Sequence, residues 1–158
     1  MTMKALVLHQ YNGQLELTEI ARPKPQPGQV LLRVDACGLN PLDVKIRAGV
    51  APHAKHPLPL VLGMDVAGTV VEVGEGVTSF APGDEVYGMT GGVGGIQGGL
   101  AQYAAVDERL IARKPSNITM REAAAIPLCF VTAYEGIVDR AHLSPKQTVL
   151  VHGGAGGV

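Results

Sequence analysis

Tryptophan is absent from this chain, and aromatic residues make up only 4% of it. With a net charge of -1 there is neither a basic face nor a stacking platform, which argues against a nucleic-acid partner. Cysteine is nearly absent. Cys37 and Cys129 lie far apart in sequence and make no disulfide framework, so the expectation is two reduced thiols in the cytoplasm. Long apolar runs are missing as well. The amino-terminal stretch Ala5 to Leu8 is too short for a secretory signal. The run from Ala123 to Val131 is broken by Pro127, so no membrane span is expected. Charged residues reach only 17%, yet 46% hydrophobic content excludes a disordered chain, and 158 residues suffice for one full domain.

What is abundant is glycine, 21 residues, and proline, 11, a composition suited to short strands joined by turns. Alternating runs flank Asn12-Gly13, a hairpin signal that predicts strands over residues 5–9 and 14–20. Three prolines between Arg22 and Gly28 cannot join a central ladder and predict an extended edge segment before a strand over 29–36. Asn40 is a good N-cap, Pro41 suits the first helical position and Gly49 a stop, so a short helix is expected over 41–48. Residues 50–59, which carry His53 and His56, read as a proline-rich surface loop rather than a metal site, because no other ligand lies near them at a suitable spacing.

A long strand follows over 64–73, with Gly68 marking a bulge or a close backbone approach, then a short one over 84–87. Thr90 to Gly99 is glycine-rich but lacks the Gly-Lys-Ser/Thr ending of a P-loop, and a strand-like stretch follows it. A flexible loop beside the site is the expectation. Strands are predicted over 100–106 and 110–113. Thr119 with Glu122 forms a capping box for an alanine-rich helix ending before Pro127, and a second helix is predicted over 128–139. The last stretch, from Thr148, predicts a buried parallel strand running into a turn with Gly153, Gly154, Gly156 and Gly157, a strand expected to be an unpaired, exposed apolar edge when these residues stand alone. In a dinucleotide fingerprint Gly154 would make the tight turn and Gly156 would let the backbone approach a pyrophosphate.

In this order the pieces resemble the medium-chain dehydrogenase/reductase superfamily, in its zinc-independent quinone and enone reductase branch. The resemblance is carried by ALVL, PxPxPGxVLLRV, GLNPLDxKxRxG, LPLVLGMDVAGTVVEVGEGV, PGDEVYG, GGLAQY, TAY and VLVHGGAGGV, which together span nearly the whole chain. It implies a mainly β fold with some α, in which a GroES-like, partly open β-barrel precedes the first strand and glycine turn of a truncated Rossmann domain. The implied division is a catalytic domain over 1–118, a helical connection over 119–147, and the start of the nucleotide domain over 148–158. The implied function is NADPH-dependent reduction of quinones or α,β-unsaturated ketones and aldehydes, with NADH as an alternative cofactor. Alone, these residues are expected to be an inactive amino-terminal fragment of a longer, homodimeric protein.

Site residues follow from the same resemblance. Zinc-using relatives place ligands where this chain has Asn40, Met64 and Leu128, and an amide, a thioether and an aliphatic side chain do not make a catalytic zinc site. Asn40 is expected to face nicotinamide and substrate, or simply to cap its helix. Asp43 lies on the same helical face and reads either as catalytic or as a first-turn carboxylate. Lys45 reads as a ribose or carbonyl contact, or as a solvated lysine. Thr132 is expected at the nicotinamide carboxamide, or in helix packing. Met64, Asp65 and Leu128 are expected to line the substrate pocket, with Gly154, Gly156, Gly157 and Val158 at the cofactor phosphates. Two other readings stay open: a zinc-type alcohol dehydrogenase relative, and a non-catalytic GroES-like binding module.

Overall fold

The computed structural model describes residues 1–54, 57–154 and 156. Its strands are β1 (Thr2–Leu8), β2 (Leu15–Ala21), β3 (Gln29–Gly38), β4 (Leu60–Val61), β5 (Asp65–Val73), β6 (Glu85–Met89), β7 (Tyr103–Asp107) and β8 (Ile111–Arg113). The α-helices are α1 (Pro41–Arg47), α2 (Met120–Ala124) and α3 (Pro127–Tyr134), the last continuing as a π-helical stretch over Glu135–Arg140.

Alternation of buried and exposed residues sets β1, whose Met3, Ala5 and Val7 point inward. It pairs antiparallel with β2, Thr2 opposite Ala21 and Leu8 opposite Leu15. The hairpin is as expected, but its turn is wider than an Asn-Gly pair requires. Asn12 takes the left-handed conformation at φ 61°, while the loop spans 9–14 because the end of α1 holds it open. The Asn12 N–H donates to the Arg47 carbonyl at 2.7 Å, and Arg47 Nε donates to the Gly13 carbonyl at 2.9 Å.

Two antiparallel sheets result, ordered β2-β1-β4 and β7-β3-β5-β6-β8. Residues 100–102 join them on one side. Ala5 bridges Ala101, the Leu6 N–H donates to the Leu100 carbonyl at 2.8 Å, and the Val34 N–H donates to the Gln102 carbonyl at 2.9 Å. The sheets do not close into a full cylinder, and the body is the partly open, GroES-like barrel implied by the motifs. The predicted strand over 100–106 therefore divides, its first residues serving the seam and the rest forming β7.

Between the strands Val30, Leu32, Val66, Val70, Val86 and Val106 form the central core. Each such side chain contributes about 1.5–3 kcal/mol by leaving water. A second cluster, Leu8, Ile46, Leu60 and Leu62, seats α1 on the smaller sheet. Alanines 67, 123 and 124 let α2 approach the larger one closely. Gly68 meets both halves of its expectation. The β3–β5 register slips between Val34 and Ala36 beside it, and a Cβ at Gly68 would run into the Arg33 carbonyl.

The structure departs from the sequence reading in places. Leu60 and Val61, to which the sequence assigned no element, form β4 against Leu8 and Val7. Met64 precedes β5 instead of opening it. From Thr148 to Val151, among the described residues, no ladder forms, and Val149, Leu150 and Val151 are exposed. This is the unpaired, exposed edge expected of these residues alone, because a parallel strand needs neighbours to pair with and none lies beside it among the described residues.

Candidate functional site

Pro41 and the extended backbone of Asn40 start α1 where the sequence places it. The reciprocal contact comes from Asp43, whose carboxylate accepts the Asn40 backbone N–H at 2.8 Å. Its other oxygen accepts the N–H of Gly63 at 3.0 Å, so one buried carboxylate ties α1 to the segment before β5. Gly63 is at φ +99°, a conformation that favours glycine, and a Cβ there would strike the Cys37 sulfur.

The Asn40 side chain turns inward. Its Nδ2 donates to Asp65 at 3.0 Å, and Asp65 is only 1% exposed. The Asp65 carboxylate also accepts the Leu128 N–H at 3.1 and 3.2 Å. This second bond has a local cause. Ile126 offers no side-chain cap to α3 and Pro127 has no N–H, so the first turn is capped from across the chain by Asp65. Burial raises the proton affinity of both carboxyls. For Asp43, hydrogen bonds from the backbone of Asn40, Gly63 and Met64 oppose the shift. For Asp65, the Asn40 amide and the Leu128 N–H oppose it, while the nearby charge of Asp43 adds to it. Burial likewise pushes the Cys37 thiol up to about 12, helped by the charges of Asp43 and Asp65. At neutral pH this sulfur is a thiol, not a nucleophilic thiolate.

Above this network opens a cavity of ≈ 480 Å³. Met64, Met89, Leu128 and Val131 give it apolar walls, and Thr90, Thr132, His53 and Glu135 supply its polar groups. Of the residues predicted for the site, Met64, Leu128 and Thr132 line the cavity, while Asn40, Asp43 and Asp65 lie buried beside it. Lys45 is exposed on α1 and is not part of the lining. Gly154 and Gly156 are exposed and lie outside the lining, and Gly157 and Val158 fall outside the described residues.

Thr90, Met89, His53 and Glu135 were missed as site residues. Glu135 follows Thr132 by three positions along a continuous helical path, a spacing that could have flagged it. The glycine-rich loop does stand beside the cavity through Thr90, Gly91, Val93, Gly94 and Ile96. Its far end is tied down, the Gly98 N–H to the Val61 carbonyl and the Leu100 N–H to the Leu62 carbonyl, each at 2.9 Å. Among the described residues, no three His, Cys, Asp or Glu side chains converge as a ligand set.

A barrel of this kind with a helix-capped cavity at its side defines a class. The chain belongs to the alcohol dehydrogenase GroES-like domain family, which matches residues 26–116, within the medium-chain dehydrogenase/reductase superfamily. It is 46% identical to the 2-methylene-furan-3-one reductase of Solanum lycopersicum, over 89% of this chain and 37% of that protein. It is 44% identical to the chloroplastic NADPH-dependent alkenal/one oxidoreductase of Arabidopsis thaliana, over 99% of this chain and 42% of that protein. Among solved structures, an alcohol dehydrogenase superfamily protein from Novosphingobium aromaticivorans superposes with a TM-score of 0.97 at 60% identity, over 99% of this chain and 47% of that one. The chain thus spans less than half the length of these relatives. No helix among the described residues is long and apolar enough to cross a membrane.

Proposed function

We propose that the chain is the substrate-binding front part of an NADPH-dependent reductase of α,β-unsaturated carbonyls or quinones, acting without zinc. One observation carries this reading. Met64 and Leu128, at two of the positions where the family resemblance puts the metal ligands of zinc-using relatives, form an apolar wall, and Asn40, at the third, commits its amide to Asp65. That donor set does not fit zinc, and no step is drawn through a metal. The names of the tomato and Arabidopsis relatives support an enone-type substrate and, in the second case, NADPH.

NADPH would supply a hydride to the far carbon of the conjugated double bond. Electron density then moves to the carbonyl oxygen as an enolate, and a proton from solvent or a donor side chain completes the reduction at the adjacent carbon. The chain's own part is to hold an apolar substrate out of water and to offer a hydrogen-bond donor, with the Thr90 hydroxyl at the cavity wall. On this reading Asn40 and Asp43 support the substrate side. Lys45 and Thr132, both exposed, serve the cofactor side, and Gly154, Gly156, Gly157 and Val158 the phosphates. Residues 1–118 are then the catalytic domain, 119–147 the connection, and 148–158 the start of the nucleotide-binding part, without which the chain alone turns nothing over. Two free thiols agree with a reducing compartment, and we place the working protein in the cytoplasm as a homodimer.

A chimera tests this reading, with residues 1–158 replacing the matching segment of the Arabidopsis alkenal/one oxidoreductase. It should bind NADPH and reduce alkenals with no metal added. A folded chimera that binds NADPH but reduces neither alkenals nor quinones would favour the binding-module reading. One tightly held zinc per chain would favour the alcohol dehydrogenase reading.

A further inference from the structure

Asp65 lies buried beside the cavity, next in the chain to Met64 of its wall, and its carboxylate accepts from two donors. The Asn40 amide comes from the start of α1 and the Leu128 N–H from the first turn of α3. We propose that Asp65 is a positioning residue that locks the Asn40 amide and the α3 wall of the cavity into one arrangement. The consequence passes along the helix. The Thr132 hydroxyl donates to the Leu128 carbonyl at 2.7 Å, so a displacement of Leu128 carries Thr132 with it. Leu128, Val131 and Thr132 all face the same cavity, and Met64 immediately precedes Asp65 in the chain.

The side-chain type matters. A carboxylate is acceptor-only and can take both incoming donors, whereas an asparagine would turn its own NH₂ toward one of them. The arrangement also carries a cost, because Asp65 is almost fully buried beside the second buried carboxylate of Asp43. A side chain serving only to fill space would be apolar here. Keeping a hydrogen-bond acceptor at this point makes sense where geometry has to be unique. The geometric part of the inference stands on the hydrogen bonds alone, and the catalytic part rests on the reductase reading.

The direct test uses the unaltered chain. A scalar coupling across the hydrogen bond should connect the Leu128 amide nitrogen to the Asp65 carboxyl carbon, and its absence overturns the proposal. In Asp65→Asn, Leu128 amide exchange should quicken about tenfold or more, with the Asn40 side-chain NH₂ signals displaced. Unchanged exchange in the variant also overturns the proposal. In the chimera, the same substitution should lower kcat between about ten- and a hundredfold with KM near its parent value. Unchanged kcat beside quickened exchange would refute the positioning role. If the unsubstituted chimera reduces nothing, the reductase reading falls instead, and the coupling and exchange results still decide whether Asp65 anchors α3.

Discussion

Gly38, the last residue of β3, has an ordinary backbone conformation and almost no room. A Cβ built on it would run into the carbonyl oxygen of Ala124 at the end of α2 and lie 3.1 Å from the Asp65 Cβ. Gly38→Ala therefore forces α2 away from the larger sheet. Overpacking against backbone falls toward the upper end of its usual range, about 3 kcal/mol. Loss of glycine's freedom in the unfolded chain offsets that by about 0.4–1 kcal/mol, leaving a net destabilisation of about 2–2.5 kcal/mol. For a chain of this length, that lowers the melting temperature by roughly 4–10 °C. Gly28→Ala is the matched control. Nothing lies within 4 Å of a Cβ there, but the backbone sits at φ +77°, so the cost of about 1–2 kcal/mol is purely conformational. Thermal melts followed by circular dichroism, with urea titrations for the free energies, compare the two. Because Gly38 touches Asp65, its variant should also quicken Leu128 amide exchange, which Gly28→Ala should leave alone. A Gly38→Ala protein as stable as the parent would refute the steric reasoning.

The pH dependence of Asp43 has a definite sign. Burial raises its folded-state pKa above the unfolded value. Its stabilising share is therefore complete below the unfolded pKa and is lost as pH rises through the folded one. The stability of the parent minus that of Asp43→Asn should be more favourable near pH 4 than near pH 7, and urea midpoints at the two pH values measure it. Leu32→Ala, in the central core, should cost about 2–5 kcal/mol. Phe130→Ser, at a position 61% exposed on α3, should lose only its ring contact with Tyr134, about 0.5–1.5 kcal/mol, and a pair of urea titrations separates the two cases.

The sequence was most readable where structure is local. Thr119 and Glu122 make their capping box, the Thr119 N–H donating to the Glu122 carboxylate at 2.8 Å and the Glu122 N–H to the Thr119 hydroxyl at 3.2 Å. Gly68 and the Asn12 turn were legible for the same reason, since each is a backbone requirement written in one residue. What escaped was set by distant partners. Strand β4 is two residues long and exists because Leu8 and Val7 lie opposite. Asn40 stands at the N-cap of its helix as expected, but its amide Nδ2 also crosses 25 positions to Asp65, which no local pattern announces. The cap of α3 comes from 63 residues earlier, which no pattern within the helix can announce. Lys45 lies exposed on α1, because Ile46 and Asp43 take the buried face. The stretch from Thr148 carries strong strand chemistry, and among the described residues no strand lies beside it.

The seam at residues 100–102 bears on how this chain is made. During synthesis the first residues emerge early, yet the Lys4 N–H finds its acceptor on Gln102, 98 positions later. Ribosomes add about 5–20 residues per second, so the newly made β1 waits several seconds for this half of its pairing. Until then the inner edge of the first strand is open to other nascent chains, and a chaperone that shelters such edges would be most useful in that interval.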